Sequence, residues 1–113
     1  MTTGQKFFEP YRAPLLELCR RYPVEQIYLF GSILTDEFDP ERSDVDVQIF
    51  FDRSGDPADL GTDILNLWDD LETLFGRKVD MISTHPIRNP YLRKSVESSR
   101  QLFYERKHEE IFV

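Results

Sequence analysis

The sequence contains very little cysteine and histidine. Its 113 residues include one cysteine, Cys19, and two histidines, His85 and His108. One cysteine excludes an internal disulfide, and neither histidine has the spacing from other ligands that a zinc site requires. A metal site built from thiolates and imidazoles is therefore excluded.

Long apolar runs and targeting segments are also missing. No stretch approaches the length needed to cross a membrane, and residues 1–5 lack the basic start and apolar core of a signal peptide. We expect a cytoplasmic protein with no membrane partner. A formal net charge of −7 argues against direct binding to nucleic acid.

Two common phosphate-binding motifs are absent. The chain has neither a Gly-x4-Gly-Lys-Ser/Thr loop nor a Gly-x-Gly-x-x-Gly turn, which argues against a kinase or a dehydrogenase. The composition itself is ordinary for a globular protein, with 40% hydrophobic and 31% charged residues. We predict a single domain over 1–113, with disordered ends at 1–6 and 107–113.

Apolar periodicity and turn residues predict alternating helices and strands. Helices are expected at Tyr11–Arg21, Pro57–Phe75 and Pro90–Ser98, and a short helix is expected to begin at Ile33–Leu34. Strands are expected at Val24–Phe30, Asp44–Phe51, Lys78–Ser83 and Gln101–Tyr104. Helical connections between strands favour an α/β (α+β) fold, with a small mixed sheet and helices packed on its faces.

The Gly31–Ser32 pair follows the first predicted strand directly. Glycine lets a phosphate approach the backbone, and serine offers a hydroxyl and is suited to capping a short helix whose free N–H groups favour anions. The pair is a candidate phosphate-binding turn.

Three aspartates are candidate metal ligands. Asp44 and Asp46 open the second predicted strand, where a period of two puts both on one face, and Asp80 lies in the third. Neighbouring carboxylates repel each other unless a cation lies between them, and Mg²⁺ prefers such oxygen ligands. These aspartates are therefore predicted to converge on one patch of the sheet.

Other polar and aromatic residues near these motifs leave alternatives open. Arg42 lies just before the acidic pair and is suited either to pair with a carboxylate or to reach a phosphate. Trp68 falls in the apolar stripe of its helix, which favours core packing over base stacking.

The motifs together resemble a known family. Leu29-Phe30-Gly31-Ser32, then Arg42-Ser43-Asp44-Val45-Asp46, Asp80 and the closing Asn89-Pro90-Tyr91-Leu92-Arg93 are similar to the DNA polymerase β-like nucleotidyltransferases. The short chain resembles their minimal members, the antitoxins paired with HEPN toxins. The resemblance implies the polymerase β-like nucleotidyltransferase fold.

The resemblance also implies an activity and residue roles. It implies Mg²⁺-dependent transfer of AMP from ATP to a hydroxyl, with tyrosine as the expected acceptor, on a HEPN ribonuclease that forms a hetero-oligomer with this chain. Asp44 and Asp46 would be ligands shared by two Mg²⁺ ions, and Asp80 would bind the metal beside the nucleophile or act as a base. Gly31 and Ser32 would hold the β- and γ-phosphates, with Arg42 as a further nucleotide-binding residue.

Two other functions remain open from the sequence. A non-catalytic antitoxin would keep the fold and mask its toxin by contact alone, but no acidic residue of the motif is missing here. A small-molecule nucleotidyltransferase of the aminoglycoside-modifying type would need a second domain to bind its acceptor, and the sequence offers none.

Overall fold

The computed structural model describes residues 1–107 and, as backbone alone, 110–111. Its helices are α1 (Thr3–Phe8), α2 (Arg12–Arg21), α3 (Pro57–Phe75) and α4 (Pro90–Ser99), and its strands are β1 (Val24–Phe30), β2 (Val45–Phe51), β3 (Val79–Ile82), β4 (Gln101–Glu105) and β5 (Glu110–Ile111). Short 3-10 helices cover Glu9–Tyr11 and Gly31–Leu34. The three longer helices and the four strands expected from the sequence are confirmed to within one residue at each end, whereas the short helix expected to begin at Ile33–Leu34 is a 3-10 helix that begins at Gly31.

The five strands form one mixed sheet in the order β3-β2-β1-β4-β5. β1 lies antiparallel to both β2 and β4, whereas β2 and β3 are parallel. A parallel pair requires a crossover, and α3 supplies it. This helix begins at the Asp56 cap, which accepts hydrogen bonds from two backbone amides, and ends at Gly76 with a left-handed φ of 63°.

The side chains of β2 alternate between a buried face and a polar face of the sheet. Val45, Val47 and Ile49 are fully buried in a core to which α1, α2 and α3 contribute apolar side chains. Asp46, Gln48 and Phe50 point to the opposite face by the period of two. The candidate site residues therefore lie on the sheet face away from this core.

The amino-terminal segment differs from the sequence-based expectation. Residues 1–6 were expected to be disordered, but α1 begins at Thr3 with a capping box between Thr2 and Gln5. Gly4 is buried, and its amide donates to the carbonyl of Thr35 at 3.0 Å. The expectation failed because tertiary contact, not helix propensity, stabilises a helix this short.

The carboxyl-terminal expectation concerns a segment that is only partly described. Residues 108–109 and 112–113 lie outside the described residues, so disorder over 107–113 stays a prediction for them. Glu110–Ile111 pairs with Tyr104 and Glu105 of β4. None of the helices in the described part of the chain has both the length and the apolar character needed to cross a bilayer.

The contact of α1 with the Gly31–Leu34 turn can be tested at Gly4. A Cβ added there would overlap the backbone carbonyl of Ile33. We expect Gly4→Ala to lower the free energy of unfolding by about 1–3 kcal/mol in urea denaturation, because backbone atoms must move apart.

The matched control is Gly61→Ala in α3, where an added Cβ meets nothing within 4 Å. That change should raise stability by about 0.5–1 kcal/mol, since alanine is the better helix former. Equal stability of Gly4→Ala and the unmodified protein would show that α1 does not pack tightly on the turn.

Candidate active site

The end of β1 meets the beginning of β2 at Gly31. Phe30 pairs with Asp46 across the two strands, and Gly31 follows with a φ of 75°. A Cβ at Gly31 would overlap the carboxylate of Asp46. Only glycine combines this left-handed backbone with such a close approach. The turn therefore lies directly against the acidic group.

Ser32 lies within the 3-10 helix rather than at its cap. The helix begins at Gly31 after Phe30, and no side chain caps it, so the expectation that Ser32 would cap a helix is wrong. Instead the amide and the hydroxyl of Thr35 both donate to the Ser32 carbonyl at 2.9 Å. In the described part of the chain the Ser32 hydroxyl has no hydrogen-bond partner, which leaves it available to a ligand.

Asp46 and Asp80 face each other across parallel strands. They are Cα partners of β2 and β3, and Asp44 immediately precedes β2. Burial, followed by the charge and hydrogen bond of Asp80 and the charge of Asp44, raises the pKa of Asp46 from 3.8 to about 6. The predicted convergence of the carboxylates thus takes the form of a close Asp46–Asp80 pair with Asp44 nearby.

Lys78 is a site residue that the sequence reasoning missed. Its Nζ lies 3.4 Å from Asp80 Oδ1 and 4.0 Å from Asp44 Oδ2. The ammonium lowers the pKa of Asp46, against the larger raising effects. Lys78 lies immediately before β3 and two residues before Asp80, so the period of two places both side chains on one face, a signal that the sequence did contain.

The loop before Asp44 is held by Arg77 rather than by Arg42. Arg42 is exposed, and the structure records no ion pair for its side chain among residues 1–107; its backbone amide donates to the Asp39 carbonyl. Arg77 donates to the carbonyl of Ser43 at 2.9 Å and to that of Pro40. The sequence around Arg77 did not indicate this role, because the two carbonyl groups that it binds lie more than thirty residues away in the chain.

A second polar network lies further along the same sheet face. Arg100 donates to Gln48 Oε1 at 2.7 Å, and its guanidinium carbon lies 4.2 Å from the centre of the Tyr28 ring. His85 stacks on Phe50 with ring centres 3.8 Å apart. These contacts attach the segments on both sides of α4 to the sheet.

The carboxylates are suited to bind Mg²⁺ if oxygen atoms of the substrate provide further ligands. Among residues 1–107, no group of three or more His, Cys, Asp or Glu side chains is arranged to hold a metal ion on its own. Mg²⁺ commonly uses only one or two carboxylates together with substrate phosphates and water. The Asp46–Asp80 pair provides these oxygens, and a cation bound there would offset the burial and the neighbouring negative charges that raise the pKa of Asp46.

A cavity of about 350 Å³ opens beside the carboxylate pair. Its walls are Phe30, Asp46, Trp68, Asp80, Met81, Ile82 and Leu92. Trp68 packs against the core, as predicted, and its Nε1–H donates to the Val79 carbonyl at 2.7 Å. The only carboxylates on the cavity wall are those of the candidate site.

Comparison with known proteins gives consistent matches. The model of the family described as "Polymerase beta, Nucleotidyltransferase" matches residues 14–109. Over 77 aligned residues the chain is 40% identical to the protein of Methanocaldococcus jannaschii called "Putative protein adenylyltransferase MJ1379". The aligned region covers 68% of this chain and 74% of that protein.

Two solved structures extend the comparison to the fold. A protein described as a "putative minimal nucleotidyltransferase" superposes with a TM-score of 0.66 at 28% identity, covering 89% of this chain and 95% of the other. A chain in the complex of tri-AMPylated Shewanella oneidensis HEPN toxin with MNT antitoxin superposes with a TM-score of 0.58 at 18% identity, covering 88% of this chain and 74% of the other.

The raised pKa of Asp46 predicts a stability penalty that depends on pH. Native Asp46 keeps its proton up to about pH 6, whereas the unfolded chain releases it near 3.8. The native state binds more protons between these values, so the free energy of unfolding falls as the pH rises through this window. Asp46→Asn removes that penalty.

We therefore expect metal-free Asp46→Asn to be more stable than the unmodified protein by about 1–2 kcal/mol near pH 7.5, after allowance for solvent screening, and equally stable near pH 4. Denaturant unfolding in EDTA at both pH values measures the difference. A variant that is less stable at both would contradict the cost of ionising Asp46 that burial and the neighbouring carboxylates impose.

Proposed function

Because the chain belongs to the polymerase beta nucleotidyltransferase family and is an enzyme of that class, we propose that it transfers AMP from ATP to a hydroxyl of a partner HEPN ribonuclease and thereby acts as its antitoxin. The observation that carries the proposal is the juxtaposition of the Gly31 turn with the Asp46–Asp80 carboxylate pair. A phosphate-binding turn and a pair of acidic oxygens on adjacent strands are the parts that nucleotidyl transfer requires.

Gly31 and Ser32 bind the β- and γ-phosphates in this proposal. The missing Cβ at Gly31 leaves the backbone open to phosphate oxygens, and the Ser32 hydroxyl has no competing partner in the described part of the chain. The contact of Gly4 with this segment keeps the turn in place before the nucleotide arrives. Exposed Arg42 is free to swing toward the triphosphate.

Asp44, Asp46 and Asp80 would hold two Mg²⁺ ions together with the triphosphate oxygens. When bound, Mg²⁺ supplies charge neutralisation of the triphosphate and lowers the pKa of the attacking hydroxyl. Lys78 already neutralises part of the charge on Asp44 and Asp80. Its ammonium limits the repulsion until the nucleotide is present.

The bonds and the proton of the proposed transfer step can all be accounted for with the residues present. The acceptor oxygen forms a bond to the α-phosphorus, the bond from that phosphorus to the bridging oxygen of the β-phosphate breaks, and pyrophosphate leaves with the electron pair. Asp80, on the edge strand, accepts the hydroxyl proton and passes it to water. The phenol of a tyrosine suits this step, because its pKa of about 10 is lower than that of serine.

The HEPN partner is proposed from the similarity in fold to a chain found in a complex of AMPylated HEPN toxin with MNT antitoxin. The described residues form one sheet with its helices and no separate acceptor-binding unit. A partner protein that brings its own acceptor hydroxyl would supply the missing surface, and the two chains would form a hetero-oligomer.

The proposed activity is tested by incubating the chain with Mg²⁺, ATP and a HEPN ribonuclease encoded beside its gene. Intact mass spectrometry should detect one or more AMP increments on the ribonuclease, together with loss of its RNA cleavage. Asp44→Asn/Asp46→Asn should lower the transfer rate by at least about a thousandfold, because the metal ligands are lost.

Asp59→Asn is the matched control, since it removes an exposed carboxylate from α3, and it should leave transfer unchanged. Full neutralisation of the ribonuclease without any mass increment would replace this function by inhibition through binding. Modification of an aminoglycoside in place of the ribonuclease would favour the small-molecule enzyme.

A further inference from the structure

We propose that Trp68 and Glu72 of α3 are positioning residues for the active site, because together they hold the outer edge of β3 and so determine where Asp80 lies. The inference rests on the proposed function, in which Asp80 binds metal and accepts a proton, and adds to it the side chains that keep this carboxylate in place. Its support comes from the edge position of β3, from two hydrogen bonds to Val79 and from the geometry of α3.

The strand that carries Asp80 has a neighbouring strand on one side only. β3 is four residues long and, within the described residues, pairs with β2 alone, whereas β2 lies between β1 and β3. Asp46 is therefore placed by two neighbouring strands and Asp80 by one. The outer edge of such a strand leaves backbone amides and carbonyls without strand partners. Other groups must bind this edge if the strand is to keep one position.

Both backbone groups of Val79, the first residue of β3, are bound by side chains of α3. The Val79 amide donates to Glu72 Oε2 at 3.0 Å, and the Val79 carbonyl accepts from Trp68 Nε1 at 2.7 Å. Backbone groups of successive residues point to opposite edges of a strand. Because the Lys78 carbonyl accepts from the Val45 amide of β2 at 3.1 Å, the groups of Val79 lie at the outer edge. The two side chains thus take the place of a neighbouring strand.

The geometry of α3 brings both side chains to this edge. Trp68 and Glu72 are four residues apart in the helix and so lie on one face. α3 is 19 residues long and buries Leu67, Leu71 and Phe75 in the core, so it is a firm support for both bonds. The bond to the Glu72 carboxylate is charge-assisted and therefore stronger than one between neutral groups.

A displacement of Asp80 would have a direct chemical cost. Misplacement of a reacting group by about 1 Å lowers a rate by up to about a hundredfold. Groups that orient metal ligands from behind typically contribute about tenfold to a hundredfold to metal affinity or activity. Loss of either hydrogen bond to Val79 should therefore weaken metal-dependent binding, while Gly31 and Ser32 still bind the phosphates.

The first test compares nucleotide affinity with and without metal. Calorimetry measures the binding of α,β-methylene-ATP, which cannot transfer AMP, to the full chain in Mg²⁺ and in EDTA. Glu72→Leu should weaken the affinity in Mg²⁺ by about tenfold and leave that in EDTA unchanged, because only the metal-dependent contribution involves Asp80. Glu72→Gln keeps an acceptor oxygen for the Val79 amide and should bind the analogue nearly as tightly as the unmodified protein.

Asp69→Leu is the matched control for Glu72→Leu. Asp69 lies three residues before Glu72 on α3, is exposed, and makes no side-chain hydrogen bond or ion pair with any of residues 1–107. The change removes the same charge and adds the same apolar side chain, but it leaves both bonds to Val79 intact. Both affinities should therefore stay unchanged.

Trp68 is tested by replacing it with β-(3-benzothienyl)alanine, which keeps the shape of the indole but has sulfur in place of the N–H. The sequence has one tryptophan, so incorporation of this analogue changes no other residue. Amide hydrogen exchange of the metal-free protein is then followed by NMR. In this variant and in Glu72→Leu, exchange should be at least about tenfold faster at Val79 and Asp80 and unchanged in β1.

Unchanged exchange at Val79 and Asp80 in both variants would overturn the proposal, because β3 would then be held without these side chains. Faster exchange with unchanged affinity in Mg²⁺ would overturn it too, since the two residues would then stabilise the strand without acting on the site. Equal weakening in Mg²⁺ and in EDTA, or the same weakening by Asp69→Leu, would likewise contradict it. The exchange measurement requires neither metal nor turnover, so failure of the proposed AMP transfer would be seen separately.

Discussion

The cost of ionising Asp46 beside Asp80 is the constraint that the rest of the structure has to accommodate. Burial contributes most to this cost, the charge of Asp80, its direct neighbour on β3, adds to it, and the pKa of Asp46 is raised to about 6. The large core on the other face of the sheet stabilises the strands in this register. Because a one-residue slip would turn Asp46 of β2 toward the core, this register is strongly specified.

Contacts from distant parts of the chain hold the acidic residues in position. α1 packs its Gly4 against the turn that contains Gly31, and Arg77 fixes the loop that leads into Asp44 through two backbone carbonyls. Lys78 then offsets part of the negative charge. The site is therefore supported by residues outside the motif, and a nucleotide would meet a turn and carboxylates already brought together.

Local patterns in the sequence predicted most of the fold and the proximity of the candidate site residues to one another. The alternation in Asp44–Phe51 identified the polar face, and the Asp56 cap with Gly76 predicted the bounds of α3. Non-local contacts could not be predicted in this way. The pairing of Gln48 with Arg100 spans 52 residues, and α1 is too short for its own periodicity to indicate a helix.

The fate of the phosphates of ATP tests the central claim most directly, namely that the Gly31 turn and the three aspartates carry out nucleotidyl transfer. The chain is incubated with Mg²⁺ and the proposed partner, the HEPN ribonuclease encoded beside its gene, in parallel reactions containing ATP labelled with ³²P at the α- or the γ-phosphate, and the proteins are separated under denaturing conditions. The account predicts that the α-label stays on the ribonuclease and that the γ-label is released as pyrophosphate. Retention of the γ-label, or of neither label, would contradict it.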